Sequence, residues 1–356
     1  MTQSKQPIGV GLIGYGFVGK TFHAPLIGAV DGLDLRAVVS SDAAKVHADL
    51  PAVTVYPTSE AMLADPAIDL VVIATPNETH APLAMAALAA GKHVVLDKPF
   101  ALDLAEARAV TQAASDADRL LCVFHNRRWD SDYLTVRAAI EARMIGDVVH
   151  FESHIDRFRP NVRDRWRERA APGAGIWFDL GPHLIDQALQ LFGLPDRVLA
   201  SLTTQRPGAQ IDDWAHVILF YGERRVILHA GMLVAGGTHR FVVHGTHGTL
   251  IKHAVDQQEP QLLAGMTPGA AGWGGDLDSL VVYDGVGAAR EQPSLPGDQR
   301  QFYVGMMAAL TGTAPPPVSK LEALAVMAVL DAARQSSGEG RAVELPLTAE
   351  ERGQWR

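Results

Sequence analysis

The feature that most constrains the fold of this chain is a glycine pattern near its start. The apolar run Ile8–Ile13 leads directly into Gly14-Tyr15-Gly16-Phe17-Val18-Gly19, and a stretch with helical character follows. In a G-x-G-x-x-G pattern the first glycine allows a tight turn, the second lets backbone approach a pyrophosphate, and the third lets the helix pack on the strand. The order of strand, turn and helix therefore predicts a dinucleotide-binding domain, with cofactor contacts from Gly14, Gly16, Phe17, Val18 and Gly19.

Composition and charge narrow the class of protein. The 356 residues suffice for two domains, at a rough guide of 100–200 residues each. No apolar run approaches the roughly 18 residues that span a bilayer, and the polar start lacks the apolar core of a signal peptide. The single cysteine, Cys122, excludes an internal disulfide, and a net charge of −9 argues against nucleic acid or an anionic membrane as a partner. We expect a cytoplasmic globular protein.

The end of the second strand bears on the choice of cofactor. Leu35–Val39 is followed by Ser40 and Ser41, where an NAD-specific site would place an acidic side chain for the ribose hydroxyls. Two hydroxyls can donate to a 2′-phosphate, and Lys45 could reach the same region, so NADP is favoured and NAD remains an alternative. Asp42 is interpreted as the N-cap of the next helix rather than as a ribose ligand.

Three further apolar strands deliver polar residues to one edge of the predicted sheet. They are followed by Thr75-Pro76-Asn77, by Asp97-Lys98-Pro99 and by His125-Asn126-Arg127-Arg128-Trp129-Asp130. Ligands of open α/β sheets bind at the carboxyl ends of the strands. A lysine fixed there can hold a substrate oxygen and favour its anionic form, although a surface lysine at a turn would look the same. The first domain is predicted to comprise residues 1–127.

The second half of the chain has a different pattern. From Val148 onward, alternating strands are separated by longer loops, which predicts an α+β domain over residues 128–356 with a mostly antiparallel sheet. The predicted strands are Val148–His154, Arg197–Thr203, Trp214–Tyr221, Arg225–Ala230, Phe241–Gly245 and Thr249–His253. A long closing helix is predicted at Val318–Ser336, able to pack back on the first domain. The Gly- and Pro-rich stretch 256–298 is predicted to be an extended loop.

The stretch Gly175–His183 combines a carboxylate and an imidazole. Pro182 suits the first turn of a helix and Gly181 suits a flexible cap, so a helix is predicted to begin there. His183 in that first turn would feel the positive end of the macrodipole, which favours the neutral imidazole that can accept a proton. Asp179 could orient this ring or position a substrate. The alternative is that Asp179 only caps the helix and His183 is an ordinary polar residue.

Taken together, these motifs resemble the Gfo/Idh/MocA family of NAD(P)-dependent sugar and polyol dehydrogenases, over roughly residues 8–338. Within that family the chain is most similar to NADP-dependent scyllo-inositol dehydrogenases. The motifs that carry the resemblance are Gly14–Gly19, Thr75-Pro76-Asn77 with His80, Asp97-Lys98-Pro99, His125–Asp130, Arg159-Pro160 with Arg165–Glu168, and Asp179–Gln187. Where the family usually has Glu before the lysine, this chain has the shorter Asp97.

The resemblance implies a Rossmann domain joined to a sheet domain, whose exposed face builds a homodimer or homotetramer. It also implies that Lys98, Asp179 and His183 are catalytic, and that the bond before Pro99 is cis. The cofactor would further be contacted at Thr75, Pro76, Asn77, His80, Asp97 and Lys98. No metal is assigned.

The predicted reaction is the reversible oxidation of a secondary hydroxyl on a cyclic polyol or sugar. His183 would act as general base, Lys98 would stabilise the developing alkoxide, and Asp179 would position both His183 and the substrate. Candidate substrate contacts are Asn126, Arg127, Asp130 and Arg157. The alternatives are a sensor that binds NAD(P) or a sugar without catalysis, and an aldose or anhydrosugar dehydrogenase.

Two features stay without a catalytic assignment. The segment from Arg157 to Arg169 holds six arginines interleaved with Asp164 and Glu168. A solvated, salt-bridged loop is slightly favoured over substrate contact, because exposed ion pairs are common and contribute little. His23 could face the pyrophosphate or pack within the first helix.

Overall fold

The computed structural model describes residues 7–164, 168–287 and 289–355, and it separates into two compact units. The first comprises Met1–Asn126, Gln258–Trp273 and Asp298–Ala323, and the second comprises Arg127–Gln257, Gly274–Gly297 and Leu324–Arg356. Two later segments thus belong with the first unit, although the sequence prediction assigned everything after residue 127 to the second domain.

The first unit is built on a six-stranded parallel sheet in the order β3-β2-β1-β4-β5-β6. The order reverses between β1 and β4, which is where open α/β sheets bind their ligands. The predicted Rossmann fold is confirmed. The strands are β1 Ile8–Ile13, β2 Leu33–Val39, β3 Thr54–Tyr56, β4 Leu70–Ile73, β5 His93–Leu96 and β6 Leu121–Val123.

Short helices connect these strands. A π-helical turn at Gly19–His23 follows the glycine pattern and passes directly into α1. The helices of this unit are α1 Ala24–Gly28, α2 Ala43–Asp49, α3 Ser59–Leu63, α4 His80–Ala89 and α5 Leu104–Asp116, with α8 Gln258–Leu263 and α9 Arg300–Leu310 from the two later segments. Asp103 caps α5 by accepting the backbone N–H of Glu106 at 2.8 Å, so a carboxylate ahead of an apolar-periodic run marks the helix start as expected.

The second unit is built on a nine-stranded sheet in the order β14-β13-β12-β11-β7-β10-β9-β8-β15. Neighbours are antiparallel except for β7 and β10, which are parallel. The predicted antiparallel sheet is confirmed. The strands are β7 Val148–Asp156, β8 Arg197–Thr203, β9 Trp214–Tyr221, β10 Arg224–Gly231, β11 Phe241–Gly245, β12 Gly248–Lys252, β13 Leu280–Tyr283, β14 Arg290–Gln292 and β15 Val343–Glu344.

The core of this unit lies between the sheet and a long helix. Alternate residues of β9 and β10 are fully buried, namely Ala215, Val217, Leu219, Val226, Leu228 and Ala230, and α7 packs against these two strands. Alternation of this kind buries one face of a sheet and leaves the other outward. The helices are α6 Ser131–Glu141, α7 Ile176–Phe192, α10 Lys320–Glu339 and α11 Ala349–Gln354.

Two predictions in the second half need correction. The closing helix is Lys320–Glu339, a few residues later than predicted. The stretch 256–298 is not one extended loop, because it contains α8, β13 and β14. Leu280–Tyr283 pairs with β12 along four residues, and this long-range pairing is invisible in a local composition of Gly and Pro. In the described ranges, no helix is both long and apolar enough to cross a bilayer.

Candidate active site

The helix that carries Asp179 and His183 begins earlier than predicted. It starts at Ile176 after Gly175, whose φ is 97°, and Pro182 lies inside it. Gly181 is therefore not a cap. A Cβ at Gly181 would lie 2.9 Å from the Trp177 ring and 3.2 Å from Leu330, so this glycine is required by close packing. The prediction that His183 lies in the first helical turn is wrong, and so is the macrodipole argument attached to it.

The cap of α7 comes from a distant residue. The Asp212 carboxylate accepts the backbone N–H of Trp177 at 2.8 Å, and the Asp212 carbonyl accepts that of Ile176 at 2.9 Å. Burial raises the pKa of the Asp212 carboxyl, while the N–H of Trp177 opposes the rise. The capping role considered for Asp179 is thus filled by Asp212. Asp179 and His183 lie four residues apart on one helix, so their side chains share one face, one turn apart.

Buried ion pairs fix the rest of α7. The guanidinium of Arg128 donates two hydrogen bonds to Asp186, at 2.9 Å from Nε and 2.6 Å from Nη2, and both side chains are buried. Arg240 donates to Gln187 Oε1 at 2.7 Å and to Asp132 Oδ2 at 2.8 Å. A planar bidentate pair such as Arg128–Asp186 fixes orientation as well as adding energy. They set the rotation of α7 about its axis, and hence the direction of the face that carries Asp179 and His183.

The predicted substrate contacts fall into different environments. Asp130 is fully buried and accepts a hydrogen bond from Arg127 Nη1 at 2.8 Å, which suits it to hold the guanidinium in place. Asn126 is buried at the start of a 3₁₀ turn, Asn126–Trp129. Arg157 lines a small cavity together with Asp179, Arg159 and Arg206. The structure therefore brings Arg157 and Asp179 to one cavity of the second unit.

The arginine-rich segment is only partly an exposed loop. Arg169 pairs with Asp164 at 2.7 Å, with both side chains largely exposed. Glu168, in contrast, is buried and pairs with Arg206 at 3.1 Å. Arg206 also pairs with Asp213 at 2.8 Å. Residues 165–167 of the segment lie outside the described ranges.

In the first unit, the glycine pattern has the geometry that a dinucleotide requires. Gly14 has a φ of 98°, a value that favours glycine. A Cβ at Gly19 would lie 2.1 Å from the carbonyl oxygen of Gly14, whereas a Cβ at Gly16 would meet nothing within 4 Å. Glycine is therefore required at position 14 by the backbone conformation and at position 19 by close packing. The open space at Gly16 fits the approach of a pyrophosphate. Phe17, beside it, is 55% exposed.

The end of β2 has two polar residues with local hydrogen bonds, Ser40 and Asp42, and two exposed polar residues, Ser41 and Lys45. Asp42 accepts the backbone N–H of Lys45 at 2.9 Å, so it caps α2 as predicted. The hydroxyl of Ser40 accepts the N–H of Asp42 at 3.1 Å in a local turn. Ser41 and the side chain of Lys45 are exposed. A carboxylate committed to a helix N-terminus is a weaker candidate for hydrogen bonds to a ribose.

His80 links the ends of two strands. Its Nδ1 lies 2.8 Å from the carbonyl oxygen of Pro99, and its Nε2 lies 3.0 Å from that of Thr75. The imidazole is fully buried. The peptide bond between Lys98 and Pro99 is cis, as the family resemblance implied. His80 therefore ties the loop after β4 to the loop that carries Lys98, at the ligand-binding edge of the sheet.

His23, left unassigned from the sequence, is a packed core residue. It is fully buried, its ring lies 4.3 Å from that of Phe124, and its Nδ1 lies 2.6 Å from the Tyr303 hydroxyl. Burial lowers the pKa of His23 to about 4, opposed by the charge of Asp97. Burial also raises the pKa of Tyr303. Both pKa shifts favour a neutral imidazole in hydrogen-bond contact with a neutral phenol.

Comparison with family models matches two consecutive ranges that cover most of the chain. A model described as the NAD-binding Rossmann fold of an oxidoreductase family matches residues 8–125, and one described as the C-terminal alpha/beta domain of the same family matches residues 137–345. The chain belongs to the Gfo/Idh/MocA oxidoreductase family. Its place among oxidoreductases and its dinucleotide-binding domain follow from this membership.

Similar proteins cover nearly the whole chain. The uncharacterized oxidoreductase YdgJ of Escherichia coli is 48% identical, over 93% of this chain and 96% of its own. The scyllo-inositol 2-dehydrogenase (NADP(+)) IolW of Bacillus subtilis is 36% identical, over 95% of this chain and 96% of its own. A solved structure of an oxidoreductase from Klebsiella pneumoniae is 57% identical with a TM-score of 0.93, covering 98% of each chain.

Several residues that shape the site were not identified from the sequence. Asp212 caps α7, Arg240 holds Gln187, and Arg206 lines the cavity beside Asp179. Each acts on a residue far away in the chain. The only indication in the sequence was a charged residue within or beside an apolar strand, a position where an unpaired charge would be costly.

Proposed function

We propose that this protein oxidises, reversibly, a secondary hydroxyl of a cyclic polyol or sugar with NADP as the preferred oxidant. The observation that carries the proposal is the placement of Asp179 and His183 one turn apart on α7 while Asp212 fills the capping role. A carboxylate one helical turn from an imidazole and not needed as a cap suits acid–base chemistry. The relative named as an NADP-dependent scyllo-inositol 2-dehydrogenase supports the substrate class and the cofactor.

In the proposed mechanism each of the three groups has one task. His183 takes the proton of the substrate hydroxyl as general base. Lys98, from the first unit, serves the same reaction by stabilising the negative charge that develops on that oxygen. Asp179 orients His183 and accepts a hydrogen bond from a second hydroxyl. A bound nicotinamide would supply the acceptor for the hydride, and that chemistry belongs to the cofactor.

The preference for NADP is supported by the groups at the end of β2. Asp42 caps α2, and the exposed Ser41 and Lys45 offer a hydroxyl and a positive charge. An acidic side chain would repel a 2′-phosphate. Ser41→Asp is therefore expected to raise the KM for NADP at least tenfold and to leave the KM for NAD within about twofold.

The remaining substrate contacts are proposed by their polarity. Arg157 lines the cavity that also contains Asp179, and Arg127 is held in place by Asp130. These guanidinium groups can donate to ring hydroxyls, and Asn126 can both donate and accept. We also propose that the outward face of the second sheet joins two or four copies of the chain, which mass photometry of the purified protein tests.

The proposal is tested with a panel of inositols and sugars, assayed with NAD and NADP in parallel. His183→Ala is expected to lower kcat/KM for the best substrate at least a hundredfold. His247→Ala, in the exposed turn between β11 and β12, is the matched control and should retain full activity. A loss below tenfold, about 1.4 kcal/mol, would remove His183 from the role of base.

Two other results would change the assignment. A protein that binds NADP tightly and oxidises no member of the panel would favour the sensor function. A preference for an aldose or an anhydrosugar over every inositol would keep the chemistry and replace the substrate.

Lys98→Met and His183→Ala should show non-additive losses of kcat/KM when combined, because groups that serve one step act as a unit.

A further inference from the structure

A row of histidines crosses the outward face of the second sheet. On β7, His150, Glu152, His154 and Asp156 alternate with the buried residues Phe151, Ser153 and Ile155. In the register of the sheet, His154 is opposite His229 of β10, and His229 is opposite His216 of β9. Three imidazoles on adjacent strands thus lie side by side, with a carboxylate two residues from the first. None of these residues is near Asp179 or His183 in sequence.

Three of these side chains converge on one point. Asp156 Oδ2 lies 3.6 Å from His154 Nδ1, and Asp156 Oδ1 lies 3.6 Å from His229 Nε2. One ligand atom from each of the three residues lies within 4.8 Å of the others. His154 and Asp156 come from the same strand and His229 from its parallel neighbour, so the backbone register fixes the group.

Two of the converging atoms are buried without a hydrogen bond. Within the described ranges, His154 Nδ1 and Asp156 Oδ1 have no hydrogen-bond partner. The Asp156 side chain is only 2% exposed. Buried polar atoms are nearly always satisfied, and an unsatisfied one costs free energy. A cation at the point of convergence would satisfy both atoms.

The opposite side of each ligand is held by a second group. His154 Nε2 lies 2.9 Å from Glu152 Oε2, and His229 Nδ1 lies 3.3 Å from His216 Nδ1. The hydroxyl of Thr238 donates to Asp156 Oδ2. A carboxylate that accepts from the far nitrogen of an imidazole fixes the tautomer whose near nitrogen holds a lone pair. This is the arrangement found behind metal-bound histidines.

We propose that His154, Asp156 and His229 bind one zinc ion, with water in the fourth position. Two imidazole nitrogens and one carboxylate oxygen suit a borderline cation, whereas calcium and magnesium prefer oxygen ligands throughout. Zinc binds nitrogen at about 2.0–2.1 Å, which separates tetrahedral ligand atoms by about 3.3 Å. Zinc binding would require the imidazoles and the carboxylate to rotate until the present separations, within 4.8 Å, close to that distance.

The bound ion would link β7 to β10, the parallel neighbours in this sheet. All three ligands belong to one chain, so the site needs no second copy. A ligand that binds only the folded state raises its stability. We therefore expect zinc at a hundredfold excess over its Kd to raise Tm by about 4 °C.

The rival interpretation is an ion-pair cluster without metal. Burial disfavours a charged imidazole at His154, but hydrogen bonds and charges from Asp156 and Glu152 outweigh it and raise the pKa of His154. A protonated His154 would pair with both carboxylates. The two interpretations differ in zinc binding. Only the zinc site predicts that zinc binding is lost when any one of the three ligands is replaced.

The test uses the full-length protein, stripped with EDTA and dialysed, with zinc ion alone as the probe. Calorimetric titration and elemental analysis after gel filtration are expected to give one zinc per chain. His229→Gln and Asp156→Asn should each weaken zinc binding at least tenfold. His47→Gln is the matched control, because His47 is exposed on α2 of the first unit and is not part of the cluster.

Two outcomes would overturn the proposal. One is zinc binding by His229→Gln or Asp156→Asn with unchanged stoichiometry and affinity, and the other is no zinc retained by the wild-type protein. The visible absorption spectrum of the wild-type protein loaded with cobalt tests the coordination geometry without any variant. Intense visible bands indicate a tetrahedral site of nitrogen and oxygen ligands, and weak octahedral bands or none would refute it.

Discussion

Adding one methyl group at each of two glycines of the fingerprint, Gly16 and Gly19, is expected to separate effects on stability from effects on cofactor binding. In Gly19→Ala, the new Cβ would lie 2.1 Å from the Gly14 carbonyl oxygen, well inside the roughly 3.5 Å at which such atoms pack without strain. The obstructing atom belongs to the backbone and cannot rotate away. In Gly16→Ala, the Cβ meets nothing within 4 Å.

The expected magnitudes follow from these distances. Overpacking costs about 1–3 kcal/mol, and a clash with backbone belongs at the upper end of that range. Replacing a helical glycine by alanine returns about 1 kcal/mol. Gly19→Ala should therefore lose about 2 kcal/mol of unfolding free energy, a fall in Tm of about 3 °C for a chain of this size. Gly16→Ala should keep Tm within about 1 °C, because no protein atom is displaced.

In cofactor binding, the larger effect is expected for Gly16→Ala, the variant with the unchanged Tm. The methyl of Gly16→Ala occupies the space through which a pyrophosphate reaches the backbone, so the KM for NADP should rise at least tenfold. Calorimetry gives Tm, and initial rates at saturating substrate give KM. If Gly19→Ala keeps the wild-type Tm, the close approach of helix and strand is refuted. An unchanged KM in Gly16→Ala would instead remove Gly16 from the cofactor site.

Two further predictions concern stability. The pKa of His23 is lowered by burial from 6.5 to about 4. As pH falls, His23 is therefore protonated in the unfolded state before it is protonated in the folded state. Its contribution to the free energy of unfolding is complete above pH 6.5 and is lost between pH 6.5 and 4. Urea unfolding of His23→Gln should show a decline smaller by on the order of 3 kcal/mol over that window, and an identical decline would contradict the buried neutral imidazole. Arg128→Met leaves Asp186 buried without its partner and should cost about 3–5 kcal/mol. Adding Asp186→Leu should recover most of the loss, whereas additive losses would show that the pair is not coupled.

Local patterns were sufficient for the Rossmann sheet and for most of the second sheet. The strands predicted at Arg197–Thr203, Trp214–Tyr221 and Phe241–Gly245 have those bounds in the structure. Alternation of apolar residues is a property of each strand by itself, since one face is buried and the other is not. The role of Asp42 as a cap was predictable for the same reason, because the bond that it accepts lies three residues ahead.

The start of α7 could not be predicted in this way. Pro182 and Gly181 have the local preferences of a helix start, yet the helix already runs through them. Asp212 caps the helix at Ile176, six residues before Pro182. Trp177 and Leu330 leave no room for a side chain at Gly181. Tertiary contacts outweighed the local preference of two residues. A similar limit applies to β13, whose pairing with β12 depends on chain far away.

The sequence by itself was enough to predict which residues carry the chemistry, because a glycine fingerprint, a lysine after a buried strand and an Asp–His pair are short-range patterns. Only the tertiary structure decided how they are held. Gln187 is bound by Arg240, Asp186 by Arg128, and the histidines of β7 and β10 meet through strand register. Such contacts join residues far apart in the chain, and their partners are chosen by packing, which no local spacing encodes.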